Sequence, residues 1–186
     1  MTMMHAMMRN PEVFSNVLGL AVSKLSMDEM LTKVVEELRD LAGCDRCSLY
    51  ILDKGKNELY TMVAQKLKLA EIKIPVDKKS LVGYCVATGK GIMVKDVSKE
   101  AQLKKIDPEL SFNPRFDELC NYHTKNVLCV PIIFGNEIIG AFQSLNKPGG
   151  FMAMDLQTMT EFASILALAI HNILVSKKLE KYLAKG

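Results

Sequence analysis

The chain has 186 residues with a formal net charge of +3, and 49% of the residues are hydrophobic against 24% charged. This length is typical of one domain with a substantial core, and this composition excludes a disordered chain. The small charge, the 6% aromatic content and the lack of a Lys/Arg cluster interleaved with aromatic residues argue against nucleic-acid binding.

The five cysteines are irregularly spaced, which does not fit a disulfide framework and favours a reduced, cytoplasmic protein without a signal peptide. The longest apolar stretch, residues 162–175, is shorter than the ~20 residues of a membrane span, so we expect no span. Cys44 and Cys47 form a C-x-x-C pair. No further Cys or His pair at a suitable spacing completes a zinc site, so we predict no metal site and a structural role for both thiols.

Two helices are predicted within residues 11–43. Asn10 can cap the first helix, and Pro11 suits its first turn. Residues 26–29 read Ser-Met-Asp-Glu, a capping box that predicts the start of the second helix. Gly43 predicts the end of that helix.

Residues 44–152 are predicted to hold the strands of a sheet and one short helix. Turns around Gly55 and around Gly135-Asn136 join neighbouring strands into hairpins. Ser80 can cap the short helix, which Gly89 ends. The last two strands are apolar on nearly every residue, so we expect a sheet covered on both faces. The predicted strands are 47–52, 58–64, 72–76, 92–94, 127–134 and 137–145, and the helix is 81–88.

Residues 95–124 lack a helical or strand period. Asp107-Pro108 and Asn113-Pro114 interrupt this segment. A long irregular segment inside a compact domain is typical of a functional lid, so we predict that it covers one face of the sheet.

A long helix is predicted from about residue 155 to 183. Residues 162–170 are apolar all round, which indicates burial. The charged end keeps an apolar stripe with Leu179 and Tyr182. We expect a second copy of the chain to cover this stripe in a helical homodimer, and a frayed tail is the alternative.

The order of elements predicts a single domain over residues 1–186, of the α+β class. We expect a central antiparallel sheet with the terminal helices (11–43 and 153–184) on one face. The sheet and lid (44–152) would enclose a ligand pocket on the other face.

Residues 44–53 read CDRCSLYILD, and Asn146-Lys147 is followed by Phe151 and Asp155. This pattern resembles the Asn-Lys…Phe-x-x-x-Asp-Glu signature of cyclic-nucleotide GAF domains, which occur in phosphodiesterases and in some bacterial adenylyl cyclases. The resemblance covers nearly the whole chain. It implies a regulatory, non-catalytic small-molecule sensor that is usually dimeric and attached to an output domain, with cyclic AMP or cyclic GMP as the candidate ligand. A carboxylate at position 155 also suits a helix N-terminus and can pair with Lys147.

The resemblance further implies which residues contact a ligand. Ser48 matches a pocket serine on the first strand. Val82 matches a backbone contact at the short helix, where amide groups and the helix dipole favour phosphate. Asp117 and Thr124 match lid residues that hydrogen-bond the base or the phosphate.

Two implied ligand positions depart from the family. Ala64 stands where an aromatic side chain stacks on the purine, and Gln65 stands where an acid reads the base edge. Glutamine can still hydrogen-bond an adenine edge as donor and acceptor. Phe112 or Phe116 could stack on the base from the lid instead.

Three other functions stay open. Ala64, and Leu156 in place of the second acid of the signature, would suit a dimeric signal-transmitting scaffold without a ligand. Cys85 and Cys120 could serve a free methionine sulfoxide reductase, which needs two thiols within reach of each other. His123 could be the axial ligand of a haem-based sensor.

Overall fold

The computed structural model describes residues 8–21, 23, 25–64 and 72–183 of the chain. Runs of helices and runs of antiparallel strands follow one another in an α+β arrangement, which confirms the predicted fold class. The helices are α1 (Pro11–Ala21), α2 (Met27–Ala42), α3 (Leu81–Thr88), α4 (Glu100–Ile106), α5 (Arg115–Cys120) and α6 (Ala153–Leu183). The strands are β1 (Arg46–Asp53), β2 (Glu58–Ala64), β3 (Lys73–Pro75), β4 (Ile92–Val94), β5 (Val127–Phe134) and β6 (Glu137–Leu145).

The caps of α2 and α3 lie where local sequence predicts them. Ser26 and Glu29 form the capping box of α2, and Gly43 ends that helix in the left-handed conformation at φ +62°. Ser80 Oγ accepts a hydrogen bond from the Gly83 amide at 3.0 Å, and Gly89 ends α3 at φ +66°. These caps satisfy backbone groups that a helix leaves unpaired at its ends.

The strands form one six-stranded antiparallel sheet in the order β3-β2-β1-β6-β5-β4. The β5–β6 hairpin turns at Gly135, which has φ +60°. A glycine with positive φ at the first central position is the pattern of a type II′ turn, which suits the twist of a hairpin. β1 and β6 occupy the middle of the sheet, so each has a neighbour on both edges.

The two faces of the sheet support separate hydrophobic cores. Side chains alternate along β1, so Cys47, Leu49 and Ile51 face the core formed with α1, α2 and α6. Tyr50 belongs to the core on the opposite face, which holds α3 and the lid. The terminal helices and the lid therefore cover opposite faces of the sheet, as the order of elements predicts.

The lid is more regular than the sequence predicts. Residues 95–124 contain the short helices α4 and α5, joined by a loop that the Leu110 side chain anchors in the core. The first residue before each helix, Lys99 and Pro114, makes no side-chain cap hydrogen bond. Helices this short and uncapped produce no detectable period in the sequence, which is why the prediction missed them.

The core face of α6 packs along β5 and carries the buried side chains of Phe162, Leu166 and Ile170. The stretch Ala153–Ser176 is long and apolar enough to cross a membrane, with a mean hydropathy of 1.5. Half of this stretch is buried inside the fold, and the core helix of a soluble protein can be equally long and apolar. Packing against the sheet accounts for its apolar character.

Candidate functional site

A cavity of about 330 Å³ lies between the sheet and the lid. Its floor is formed by β1 and β6, and its walls by β3, the start of α3 and residues 111–124 of the lid. This volume is within the range of small-molecule sites, about 300–1,000 Å³. The fold brings together in this lining six of the residues that the sequence predicts to contact a ligand: Ser48, Val82, Phe112, Phe116, Asp117 and Thr124.

Polar side chains of β1 and β6 form the floor of the cavity. Ser48 is buried and lies opposite Gln143 in the β1–β6 ladder. The Tyr50 hydroxyl donates a hydrogen bond to Gln143 Oε1 at 3.2 Å. Burial raises the pKa of Tyr50, so this phenol stays protonated and remains a donor. The floor thus offers a hydroxyl, a phenol and an amide to a ligand.

The first turn of α3 contributes backbone amides to the wall. Ser80, Leu81 and Val82 all line the cavity. The amides of the first helical residues have no partner within the helix, and the helix dipole favours an anion near them. The chain approaches itself closely here, because a Cβ atom on Gly83 would lie 2.7 Å from the carbonyl oxygen of Pro75. Glycine at this position lets α3 start against the strand end.

Arg46 is a site residue that the sequence analysis missed. Its guanidinium lies over the Tyr122 ring, with Cζ 3.5 Å from the ring centroid, and its side chain is only 13% exposed. The Nε atom is buried and has no hydrogen-bond partner among the described residues, and Asp45 Oδ2 lies 3.8 Å away. A buried guanidinium N–H without an acceptor lowers the free energy of unfolding, unless a ligand or a water accepts a hydrogen bond from it. Strand alternation could have found it, since residues 46, 48 and 50 share one face.

The cavity has an excess of positive charge. Arg46, Lys73 and Arg115 line it, and Asp117 is the acidic residue among the described lining. Both carboxylate oxygens of Asp117 already accept hydrogen bonds from Thr124, at 2.7 Å from its amide and 2.7 Å from its hydroxyl. These two bonds close the loop after α5. Cationic side chains thus outnumber acidic ones in the described lining, and the Asp45 carboxylate, 3.8 Å from Arg46 Nε, offsets part of this charge.

The GAF domain family model matches residues 26–170 of the chain. The chain belongs to the GAF family. GAF domains are generally regulatory domains that sense small molecules, and the relatives of this one include cyclic phosphodiesterases.

The GAF domain resembles a Caenorhabditis elegans protein named "Probable 3',5'-cyclic phosphodiesterase pde-5", with 26% identity over 169 residues. The match covers 84% of this chain and 22% of that protein, so the chain spans about a fifth of the length of this relative.

Solved structures of low identity share the fold. The GAF domain of a Coxiella burnetii phosphoenolpyruvate-protein phosphotransferase has a TM-score of 0.74 and 18% identity, covering 92% of this chain and 98% of that one. The free methionine-R-sulfoxide reductase of Neisseria meningitidis, in complex with its substrate, has a TM-score of 0.67 and 20% identity. That match covers 87% of both chains.

The residues of the Asn-Lys…Phe…Asp pattern connect the lid to the sheet and to α6. Asn146 adopts the left-handed conformation at φ +57°. Its Oδ1 accepts hydrogen bonds from the amides of Lys125 (2.7 Å) and Asn126 (3.3 Å), and its Nδ2 donates to the His123 carbonyl at 2.7 Å and the Tyr122 hydroxyl at 2.9 Å. Asn126 in turn accepts from the amide of Lys147 at 2.9 Å. These contacts fasten the exit of the lid to the end of β6.

The other signature residues hold the start of α6. Lys147 Nζ donates to Asp155 Oδ1 at 2.6 Å, in a pair whose side chains are 21% and 14% exposed. Asp155 Oδ2 also accepts from the Met152 amide at 2.8 Å, which caps α6. Phe151 is buried in the core. Lys147, Phe151 and Asp155 are outside the cavity lining, and their contacts here are structural.

Of the two positions at which the resemblance implies a departure, Ala64 is the last residue of β2. Ala64 is the β2 partner of Ser48 in the β1–β2 ladder. Gln65 lies outside the described residues. The described aromatic rings of the cavity come instead from the lid and from β1. The lid contributes Phe112, Phe116 and Tyr122, and β1 contributes Tyr50.

Thiols and histidines are absent from the described lining of this cavity. Cys85 and Cys129 are buried in the core beneath α3, and burial raises the pKa of Cys85 to about 12. Cys120 ends α5, and His123 is exposed on the outer side of the lid. No group of three or more His, Cys, Asp or Glu side chains that could hold a metal ion is found in the part of the chain that the structure describes.

Proposed function

We propose that this GAF domain binds a small anionic ligand in the cavity beneath its lid, with cyclic AMP or cyclic GMP as the first candidate, and signals to an attached or partner output domain. The observation that carries this proposal is the excess of cationic over acidic side chains in the described lining of a partly open cavity of about 330 Å³. The similarity to a cyclic phosphodiesterase supports a cyclic nucleotide among the possible anions.

The proposed phosphate site lies between Arg46 and the start of α3. Both line the same cavity. The guanidinium would donate charge-assisted hydrogen bonds, and the first-turn amides would add donors aligned with the helix dipole. A phosphate would also accept a hydrogen bond from the buried Nε of Arg46, which has no hydrogen-bond partner among the described residues.

The proposed base site lies under the lid. Phe112 and Phe116 are half-buried in the lining and could stack on a purine in place of the side chain that Ala64 lacks. Ser48 and Gln143 can hydrogen-bond polar base or ribose atoms from the floor. In this arrangement Asp117 and Thr124 hold the loop after α5 in shape at the edge of the ligand site.

Calorimetric titration tests this proposal with cyclic AMP, cyclic GMP and neutral adenosine. We expect heat and thermal stabilisation with at least one cyclic nucleotide and neither effect with adenosine, because adenosine lacks the phosphate. A ligand at 100 times its Kd stabilises the folded state by about 2.7 kcal/mol. Absence of heat and of stabilisation with both nucleotides at millimolar concentration would remove the cyclic-nucleotide assignment.

A homodimer through the terminal helices is the second part of the proposal. Leu168, Val175, Leu179 and Leu183 of α6 are exposed, and the Leu179 side chain is 58% exposed. Residues 168, 175 and 179 are seven and four positions apart, which places them on one face of the helix as in a helix–helix seam that a second α6 would cover. Sedimentation equilibrium measures this directly, and a monomer at all concentrations would refute it.

The open cavity favours a ligand-binding domain over a scaffold with a filled pocket. The exclusion of thiols from its described lining disfavours a methionine sulfoxide reductase at this cavity, and the outer position of His123 disfavours a haem ligand. Turnover of free methionine sulfoxide by the unmodified protein would overturn the non-catalytic assignment. The cytoplasmic location stays a prediction from the reduced thiols.

A further inference from the structure

Two thiols meet where the chain passes from α2 into β1. Cys44 directly follows the C-cap Gly43, and Cys47 is the second residue of β1. Their Sγ atoms are 3.5 Å apart. Cys44 is partly exposed, whereas Cys47 is completely buried beside Ser144. The pair lies on the face of the sheet opposite the ligand cavity.

The geometry needs little change to form a disulfide. An S–S bond is about 2.05 Å long, so the sulfurs must approach by about 1.5 Å. Cys44 precedes β1 and is outside the strand ladder. Its backbone amide donates one hydrogen bond, to the Arg39 carbonyl at 3.3 Å. Cys47 is fixed by β1, which pairs with strands on both sides. The gap is therefore closed more easily by movement of Cys44 than by movement of Cys47.

The environments of the two thiols differ in the way that a redox pair requires. The hydrogen bond with Cys47 lowers the pKa of Cys44, and the nearby charge of Arg39 acts in the same direction. Burial raises the pKa of Cys47. Cys44 is thus both the more accessible thiol and the one that ionises first, and thiolate character with exposure determines susceptibility to oxidation.

We propose that Cys44 and Cys47 are a reversible, peroxide-sensitive dithiol, with Cys44 as the attacking thiol and Cys47 as the resolving thiol. The Cys44 thiolate attacks one oxygen of hydrogen peroxide, which breaks the O–O bond, forms a sulfenic acid and releases hydroxide. Cys47 then attacks Cys44 Sγ and displaces the second hydroxide. The two thiol protons neutralise the two hydroxides, so one peroxide is reduced to two waters while the two thiols are oxidised to one disulfide.

The position of this pair gives oxidation a path to the ligand site. Cys47 lies between Arg46 and Ser48, whose side chains line the cavity on the other face of β1. The amide of Asp45, inside the proposed disulfide loop, bonds to the carbonyls of Leu145 (3.0 Å) and Asn146 (3.2 Å). A disulfide at this point would therefore act on the strand end that presents Arg46.

The chain offers a direct assay, because trypsin cleaves at Arg46 between the two cysteines. Reduced protein is treated with one equivalent of hydrogen peroxide, blocked with N-ethylmaleimide and digested without reductant. We expect the intact monomer to lose two hydrogen atoms. Peptides 40–46 and 47–54 should then appear as one linked species that dithiothreitol separates.

Two variants provide the controls. Cys120→Ser removes the partly exposed lid thiol and should leave the linked peptide unchanged. Cys44→Ser should abolish the linked peptide, and the measurement on the wild-type chain stands even if this variant folds poorly. Recovery of both wild-type peptides singly blocked by maleimide, while Cys120 is oxidised, would overturn the proposal. So would sulfinic acid at Cys44 with Cys47 still reduced, or a disulfide found only between two chains.

Discussion

Replacing Gly83 by alanine should destabilise the domain at the wall of the cavity. A Cβ atom at this position would lie 2.6 Å from Ser80 Oγ, 2.7 Å from the Pro75 carbonyl and 2.9 Å from the Asp77 carbonyl. Two of these three oxygens belong to the backbone. They cannot rotate away, so α3 must shift from the end of β3.

The expected loss combines three contributions. Overpacking in a tight site costs about 2 kcal/mol. Displacing Ser80 weakens the cap on α3, which is worth about 1 kcal/mol. The higher helix propensity of alanine raises the free energy of unfolding by about 1 kcal/mol and offsets part of this loss. The net loss of about 2 kcal/mol corresponds to a fall in Tm of roughly 4–8 °C for a domain of this size.

Thermal unfolding followed by circular dichroism measures this shift, and Gly19→Ala is the matched control. Gly19 lies in α1, and a Cβ atom added there would have no neighbour within 4 Å outside its own helix. Alanine there should raise the free energy of unfolding by about 0.5–1 kcal/mol through helix propensity alone. A Gly83→Ala protein that melts at or above the wild-type temperature would refute the packing described at the start of α3.

Particular contacts support four more predictions. Asp155→Asn should lower the free energy of unfolding by about 2 kcal/mol in urea titrations, because it weakens a partly buried charge-assisted bond; an unchanged midpoint would contradict this role. Arg46→Gln should raise the Kd for a cyclic nucleotide about tenfold to 100-fold by calorimetry, and an unchanged Kd would remove Arg46 from the site. Hydrogen bonds from Ser26 lower the pKa of Glu29 from 4.5, so its stabilising effect is present above that pH and is lost as the pH falls through the lower folded value. Glu29→Gln should therefore flatten the acid limb of a stability–pH curve, and an identical limb would contradict it. Leu179→Glu should shift sedimentation from dimer to monomer, whereas a persistent dimer would place the interface elsewhere.

Local signals were sufficient to predict most of the fold. The capping box at Ser26 and the glycines at positions 43 and 89 determine helix ends through contacts within a few residues, so sequence spacing reveals them. Strand alternation likewise requires Ser48 and Tyr50 to share one face of the sheet.

The missed features depend on contacts between distant residues. Arg46 is held in the cavity by Tyr122, which approaches from the lid. Asp117 and Thr124 bond to each other across the loop after α5, so their oxygens are engaged within that loop. Strand alternation can place Arg46 on the cavity face, but its contact with Tyr122 requires the tertiary fold to be in place.

The side chain of Asn146 gives the lid and the last helix a common anchor. Its amide group holds the backbone of residues 123–126, while its own backbone leads directly into the loop that Lys147 and Asp155 clamp to α6. A displacement of the lid would thus reach the first turn of α6 around the rim of the sheet, without any rearrangement of the core between the two faces. The domain can keep a rigid centre and still carry a signal from one side to the other.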